Sequence, residues 1–131
     1  MADTVLAAQL YTVRDFTKTP ADIAATMKKV KAMGYDAVQT SALGPIDPKE
    51  LRKIVDGEGL VICATHVSWE ELRDRTDAQI EYHKTIGCEN AAIGGLPKDY
   101  QTAEGYARFA REGTEVGRKL AAAGLTFSYH N

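Results

Sequence analysis

Strand-like and helix-like segments alternate along the whole chain, and this alternation limits the folds that 131 residues can adopt. The first segment is a strand, and each later strand follows a helical stretch. Because strands that alternate with helices of this length pair in parallel through right-handed crossovers, the pattern predicts an α/β fold. The predicted strands cover residues 5–11, 37–40, 60–67, 91–93 and 125–131.

The starts of four helices carry capping signals. Thr19 and Asp47 each precede a proline and have an acidic residue in the turn that follows. Ser68 and Glu71 have the spacing of a capping box, and Thr102 opens the fourth helix. Each helix ends near a glycine, which adopts the left-handed conformation after a helix at little cost. The caps therefore place four helices between five strands.

Five strands and four helices amount to about half of a (β/α)8 barrel, or TIM barrel, which needs about 200–250 residues. The chain ends in GLTFSYHN, residues 124–131, within the fifth strand. We therefore expect residues 1–131 to form one partial barrel domain of parallel (β/α) units.

Such an open sheet leaves backbone groups unpaired at its first and fifth strands. It also exposes the face that a closed barrel hides, because parallel sheets are normally covered on both faces. We expect that face to include Val5, Ala7, Ile62, Ala64 and Thr126. The chain is therefore predicted to self-associate edge to edge, although two copies supply ten strands rather than eight.

The charge balance disfavours several classes of protein. Sixteen basic and eighteen acidic residues give a net charge of −2 with no basic cluster, so no nucleic-acid partner is expected. No apolar run reaches the about 18 residues of a membrane span. Asp3 stands where a signal peptide is positively charged, which favours a cytoplasmic location.

Cys63 and Cys88 have no close-spaced metal or redox pattern, so we expect two reduced packing thiols.

The alternation of side chains along the strands predicts a polar cluster. Small or polar faces should point into the barrel, and on the third strand that face contains Ile62, Ala64 and His66. By the same rule Gln9, Gln39, His66 and His130 converge at one end of the barrel. Chemistry in such barrels lies at the carboxyl ends of the strands.

Two histidines at strand ends are the main candidates for function. His66 can bind a substrate hydroxyl, transfer a proton or help to hold a metal, or it can be a structural residue of the barrel mouth. His130 has the same alternatives, and Asn131 beside it adds a donor and an acceptor. His83 lies within a helix and is expected to have a surface or packing role. We therefore expect His83→Ala to be a silent control for the loss of turnover that His66→Ala should cause.

Further candidates follow the first and third strands. Gln9, Tyr11 and Arg14 suit a sugar or a phosphate, and Arg14 could clamp an anion or instead anchor the loop through Asp15. Trp69 could stack on a sugar ring, or it could pack at the start of a helix.

The sequence offers too few ligands for a metal. A metal site needs three or four convergent carboxylate or imidazole ligands, and only two strand-end histidines are present, with no strand-end acid. Gln39 occupies the position where a carboxylate would be the natural acid or base. We predict that this chain alone binds no catalytic divalent metal.

Several motifs together resemble a known group of barrels. They are AQLYTVRD at 8–15, MGYDAVQ at 33–39, GLVICATHVSWEEL at 59–72, FAREGTEVGRKLAAAGL at 109–125 and FSYHN at 127–131. Their order and spacing are similar to those of the sugar phosphate isomerase/epimerase group of xylose isomerase-like TIM barrels, which also contains endonuclease IV-type proteins.

The resemblance implies isomerisation or epimerisation of a sugar or sugar phosphate. Such enzymes transfer a proton next to a carbonyl, aided by a divalent manganese, magnesium or zinc ion. It also implies that His66 and His130 are substrate-pocket histidines. Members of the group commonly have Glu at the position of Gln39, and their metal ligands come from strands five to eight. The alternative is a non-catalytic half-barrel that self-associates and binds a sugar without turnover.

Overall fold

The computed structural model describes residues 4–130, which form a single parallel sheet covered by helices. The strands lie in the order in which they occur in the chain, so that each pairs with its sequence neighbours. This is the arrangement of consecutive (β/α) units in half of a TIM barrel, and the predicted α/β fold is confirmed. The strands are β1 (Ala7–Gln9), β2 (Ala37–Thr40), β3 (Val61–Val67), β4 (Asn90–Ile93) and β5 (Thr126–Tyr129).

All four predicted caps are present. The side chains of Thr19, Asp47, Ser68 and Thr102 each accept a hydrogen bond from a backbone N–H in the first turn of the helix that follows. The helices are α1 (Pro20–Ala32), α2 (Pro48–Gly57), α3 (Trp69–Asp74), α4 (Thr76–Ile86) and α5 (Ala103–Ala122).

The sequence predicted four helices, but the third is divided into α3 and α4. Arg75, which separates them, has φ −129° and ψ 40°, outside the helical region. The hydroxyl of Thr76 donates a hydrogen bond of 2.6 Å to the carbonyl of Leu72. This side-chain bond stabilises the break between the two helices.

The first strand is shorter than predicted. It ends at Gln9, whose side-chain oxygen accepts a 2.7 Å hydrogen bond from the N–H of Tyr11. That bond caps a 3-10 helix over Leu10–Phe16. The local polar contact therefore replaces strand pairing directly after Gln9.

Two apolar clusters lie between the sheet and the helices. The first joins β1, β2 and β3 to α1 and α2 and includes Leu10, Ile23, Met27, Val38 and Leu51. The second joins β4 and β5 to α3 and α5 and includes Trp69, Leu72, Ile93, Tyr100 and Leu120. Removing each such side chain from water stabilises the fold by roughly 1.5–3 kcal/mol.

The prediction for Ile62 is wrong because β3 contains a bulge. Val38 pairs with Ile62 but Gln39 pairs with Ala64, so Cys63 is an extra residue in the strand. Ile62 consequently faces the helices and is only 4% exposed. The side-chain amide of Asn90 donates a 2.7 Å hydrogen bond to the Cys63 carbonyl that the bulge frees.

The other residues predicted on the uncovered face behave as expected. Val5, Ala7 and Thr126 are exposed, and Ala64 is half-buried. Cys63 and Cys88 are free thiols, and Cys88 is buried in the first apolar cluster. Within residues 4–130, none of the helices combines the length and the apolar character that a membrane crossing requires.

Candidate functional site

Four polar side chains meet at the carboxyl ends of the strands. Gln9, Gln39, His66 and His130 line a cavity of about 410 Å³ that opens on the uncovered face of the sheet. The sequence predicted this convergence, and the structure brings the four together. An adjoining cavity of about 500 Å³ shares three of them and extends to Tyr11, Ser41 and Gly94. Cavities of about 300–1,000 Å³ are typical of small-molecule sites.

Strand pairing places the two histidines on the same face. His66 pairs with Ala92, which pairs with Ser128, so His130 lies two residues further along the same face of β5. The backbone N–H of His130 is anchored by a 3.1 Å hydrogen bond to the carbonyl of Ile93. The two imidazole centroids are 5.6 Å apart, with the ring planes inclined at 57°.

The pKa of His66 is held below its ordinary value. Burial disfavours the charged imidazolium, and the neighbouring His130 lowers the pKa of His66 further by charge repulsion. His66 is therefore neutral at pH 7, with one ring nitrogen as a donor and the other as an acceptor. A neutral imidazole at a cavity wall can bind a hydroxyl or accept a proton.

Two residues that the sequence analysis did not select lie beside the ring of His66. The Ser41 hydroxyl lies 3.5 Å from His66 Nδ1. It precedes Ala42, whose φ of 55° is unusual for a residue with a side chain. A Cβ on Gly94 would lie 3.2 Å from the same nitrogen, so a larger residue there would crowd the imidazole. Ser41 and Gly94 each directly follow a predicted strand, and this position is the sequence signal that could have identified them.

Of the predicted residues after β1, Tyr11 borders the second cavity and Arg14 does not. Arg14 Nη1 donates a 2.8 Å hydrogen bond to the Tyr11 carbonyl, and its guanidinium lies 4.2 Å from the centroid of the Tyr11 ring. Arg14 lies outside the lining of both cavities. Asp15 lies 3.9 Å from Lys18, not beside Arg14 as the alternative role required. An anion clamp at Arg14 stays a prediction.

Trp69 is not a sugar-stacking residue. Its side chain is 1% exposed, and its ring packs against Phe109, Tyr100 and Phe127 with centroids 5.0, 6.4 and 6.0 Å away. As the first residue of α3, Trp69 is directed towards the helix-side core. The alternative of packing at a helix start is the correct one, and the prediction that Trp69 contacts substrate is wrong.

His83 packs a helix onto the sheet. It is completely buried, with Nδ1 2.7 Å from the Gln79 carbonyl and Nε2 2.7 Å from the Thr65 hydroxyl. Because a carbonyl only accepts, Nδ1 carries the hydrogen and Nε2 accepts from Thr65. The packing role is confirmed. Because both hydrogen bonds would be lost in the interior, His83→Ala is not a neutral control for stability. That it leaves turnover unchanged stays a prediction.

The described residues do not fit a metal centre. Across residues 4–130 there is no group of three or more His, Cys, Asp or Glu side chains that could hold an ion. Among the described residues, the lining of the two cavities contains no Asp or Glu side chain. The predicted contribution of Asn131 lies outside the described residues.

No protein-family model and no curated protein matches the sequence. The fold does match solved structures. A sugar phosphate isomerase/epimerase from Parabacteroides distasonis superimposes with a TM-score of 0.78 at 17% identity, over 100% of this chain and 52% of that one. A xylose isomerase domain containing protein from Salmonella typhimurium superimposes with a TM-score of 0.71 at 12% identity, over 98% of this chain and 51% of that one.

A third match is an AP endonuclease of family 2 from Brucella melitensis. Its TM-score is 0.68 at 16% identity, over 97% of this chain and 55% of that one. This chain therefore spans about half the length of these three structures. The likeness establishes the fold, which is half of a TIM barrel.

Proposed function

We propose that this chain forms the sugar-binding part of a sugar or sugar phosphate isomerase/epimerase. The observation that carries the proposal is the convergence of Gln9, Gln39, His66 and His130 on one cavity at the strand ends. Two amides and two imidazoles supply both donors and acceptors, which is what the hydroxyl groups of a sugar require. The likeness of the fold to a sugar phosphate isomerase/epimerase supports the same substrate class.

In this proposal the two amides orient the sugar, and His66 serves the proton transfer. A neutral imidazole can accept a proton from the carbon next to a carbonyl at pH 7, whereas an imidazolium cannot. His130 binds a neighbouring hydroxyl, with Asn131 as a further donor or acceptor. Tyr11 borders the mouth of the cavity.

The divalent ion that the resemblance implies would stabilise the enediolate in a complete enzyme. We propose that its ligands come from outside the residues described here, because the cavity lining contains no carboxylate. Calorimetric titration of this chain with manganese, magnesium or zinc should show weak binding at most. A tight one-to-one site that disappears in His66→Ala would contradict this part of the proposal.

A second candidate is a module that binds a sugar without turnover. The lack of a carboxylate in the cavity lining favours it, because proton transfer beside a carbonyl usually needs an acid or a metal to stabilise the enediolate. In both candidates the chain acts in the cytoplasm. A nucleic-acid substrate is disfavoured by the net charge of −2.

The experiment is a titration of the chain with aldose and ketose phosphates, followed by NMR. Binding should shift the imidazole signals of His66 and His130 and the side-chain amides of Gln9 and Gln39. His66→Ala should weaken binding, whereas Lys84→Ala, a change in an exposed ion pair on α4, should not. Inorganic phosphate serves as the control ligand. Unchanged spectra with every sugar would overturn both candidates.

The same samples in deuterated water separate the two candidates. Incorporation of deuterium next to the carbonyl indicates proton transfer by this chain, and binding without incorporation indicates the module.

A further inference from the structure

The exposed apolar side chains are confined to particular surfaces. Within residues 4–130, eight large apolar side chains are exposed, by 43% to 72%. None of them lies on α2, α3 or α4, the helices that cover the middle of the sheet. Half of the eight lie beside β1 and α1: Val5, Leu6, Phe16 and Met33.

The β1 side forms an apolar edge. The carbonyl of Leu6 accepts hydrogen bonds from Asp36 and Ala37, which fixes this segment against β2 on one side. Phe16 and Met33 line a groove of about 210 Å³ beside α1 that is walled mainly by apolar groups. In a sheet ordered β1 to β5, the other side of β1 is an edge with unpaired backbone groups.

The opposite side of the sheet has a smaller apolar edge. Tyr129 on β5 packs with its ring centroid 5.4 Å from that of Phe109 and is still 43% exposed. Tyr106, one turn earlier on α5, is half exposed. Of the remaining two, Tyr11 borders the cavity, and Val61 lies on the interior face of β3, opposite the helix-facing Ile62.

Seven of the eight side chains therefore lie on surfaces that a closed barrel covers, and Tyr11 borders its mouth. We propose that two copies of this chain cover these surfaces for each other, with the β1 edge of each copy against the β5 edge of the other. Both edges belong to one parallel sheet, so a two-fold rotation about the barrel axis brings both pairs of edges together at once. The contact is then closed and leaves no free strand edge.

A second copy fits the surface in size and charge. The chain covers 51% and 52% of two structures that it matches, so two copies approximate one such structure in length. The net charge of −2 gives little repulsion between copies. Two copies supply ten strands, and the resulting barrel is wider than one with eight.

The pairing completes the candidate site. In the single chain the cavity is open on the side where the second copy would stand. In the pair, a second set of Gln9, Gln39, His66 and His130 forms the facing wall of one mouth. The inference rests on the sheet edges and the apolar surface, and its tests do not depend on sugar binding. The facing wall repeats a lining without carboxylates, so the pair agrees with the sugar-binding module and not with the metal-dependent enzyme.

The first test is the mass in solution, measured by light scattering and sedimentation over a range of concentrations. We expect a species of twice the 14.3 kDa chain mass. Leu6→Lys and, separately, Phe16→Lys should raise the dimer dissociation constant by at least about tenfold, because each buries a lysine in the contact. Both positions are exposed in the single chain, so the fold itself should tolerate the change.

Ala78→Lys adds the same charge at an exposed position of α4, away from both edges, and should leave the dimer intact. A compact monomer that stays folded on dilution would overturn the proposal. So would a dimer that neither edge variant weakens.

The second test traps the contact as a disulfide. The background carries Cys63→Ser and Cys88→Ser. In it, Leu6→Cys is combined in turn with Thr126→Cys, Ser128→Cys and Tyr129→Cys, because the register of the two edges is not known in advance. Strands β1 and β5 are four spacings of about 4.8 Å apart along the sheet, beyond the about 7 Å that a disulfide spans. Any bond between the two edges must therefore join different molecules.

Closure predicts a covalent dimer that carries two disulfides in at least one of these variants. A ladder of higher oligomers would indicate open head-to-tail growth and would overturn the closed pair. The lack of cross-links in all three variants would overturn the edge contact itself.

Discussion

His66 and His130 lie with their ring centroids 5.6 Å apart at the carboxyl ends of β3 and β5, two strands that are not direct neighbours in the sheet. β4 separates them, and its small residue Ala92 leaves space for the two rings over the same face. At this distance the charge of His130 lowers the pKa of His66, in addition to the larger effect of burial.

The first prediction concerns this pair. In His130→Gln the pKa of His66 should rise, because the neighbouring positive charge is gone, but it should stay below the ordinary value because burial is unchanged. NMR titration of the imidazole C–H signals measures it. Lys84→Ala, which removes a distant charge on α4, should leave the His66 titration as it is. A His66 pKa that falls or does not move in His130→Gln would contradict the coupling.

The second prediction concerns the bulge in β3. Deleting Cys63 should convert the bulge into a regular strand, because Ile62 already faces the helices and Ala64 already faces the cavity. The His66–His130 coupling should survive. Deleting Ser128 from the regular strand β5 should turn His130 towards the helices and abolish the coupling. The titration of His66 in each deletion variant is the measurement. Loss of the coupling without Cys63, together with its survival without Ser128, would contradict the bulge in β3.

The third prediction concerns the stability that His83 provides. His83→Ala should lower the free energy of unfolding by about 2–4 kcal/mol, since it leaves a cavity and removes the partner of the buried Thr65 hydroxyl. Denaturant unfolding gives the value, with Lys84→Ala on the exposed face of α4 as the control. A loss below about 0.5 kcal/mol, the range of ordinary surface changes, would show that His83 is dispensable.

The fourth prediction follows from the protonation of His83. Burial lowers the pKa of His83 in the folded chain, so around and below pH 6.5 the unfolded chain binds more protons. Its contribution to stability is therefore complete above about pH 6.5 and is lost as the pH falls towards the folded-state pKa, at up to about 1.4 kcal/mol per pH unit. In His83→Gln this part of the acid dependence should vanish. If the free energy of unfolding falls equally with decreasing pH in the unchanged chain and in His83→Gln, the prediction is wrong.

The fifth prediction concerns Trp69. Trp69→Ala should cost about 3–5 kcal/mol of unfolding free energy, because the ring is surrounded by Tyr100, Phe109 and Phe127. Trp69→Phe should cost clearly less, since most of the apolar contact remains. The Trp69 ring nitrogen has no hydrogen-bond partner within residues 4–130, so this substitution also removes a buried unsatisfied donor. Equal losses for the two variants would contradict a packing role.

The sequence was most informative where local chemistry decides the structure. Thr19, Asp47, Ser68 and Thr102 fix helix starts through bonds within one turn, so their capping could be predicted from the residues alone. The strand order followed from the alternation of elements. The convergence of polar residues followed because it depends only on which end of each strand they occupy.

The sequence was least informative where a distant residue decides. The bulge at Cys63 depends on how β3 aligns with β2 and on the bond from Asn90, and neither is a local pattern. Trp69 could have faced the mouth or the core, and the aromatic rings of α5 and β5 decided it. For His83 the sequence left a surface role and a packing role open, because its partner Thr65 is 18 positions away.

The sequential strand order also bears on how the chain acquires its structure during synthesis. Each strand pairs with the strand that precedes it in the chain, so every new unit finds its docking edge already made. A chain emerging from the ribosome can therefore fold stepwise from β1 onwards without waiting for distant segments. At each step the most recently added strand is the exposed edge of the sheet. Its unpaired backbone groups can then pair wrongly with strands of other chains.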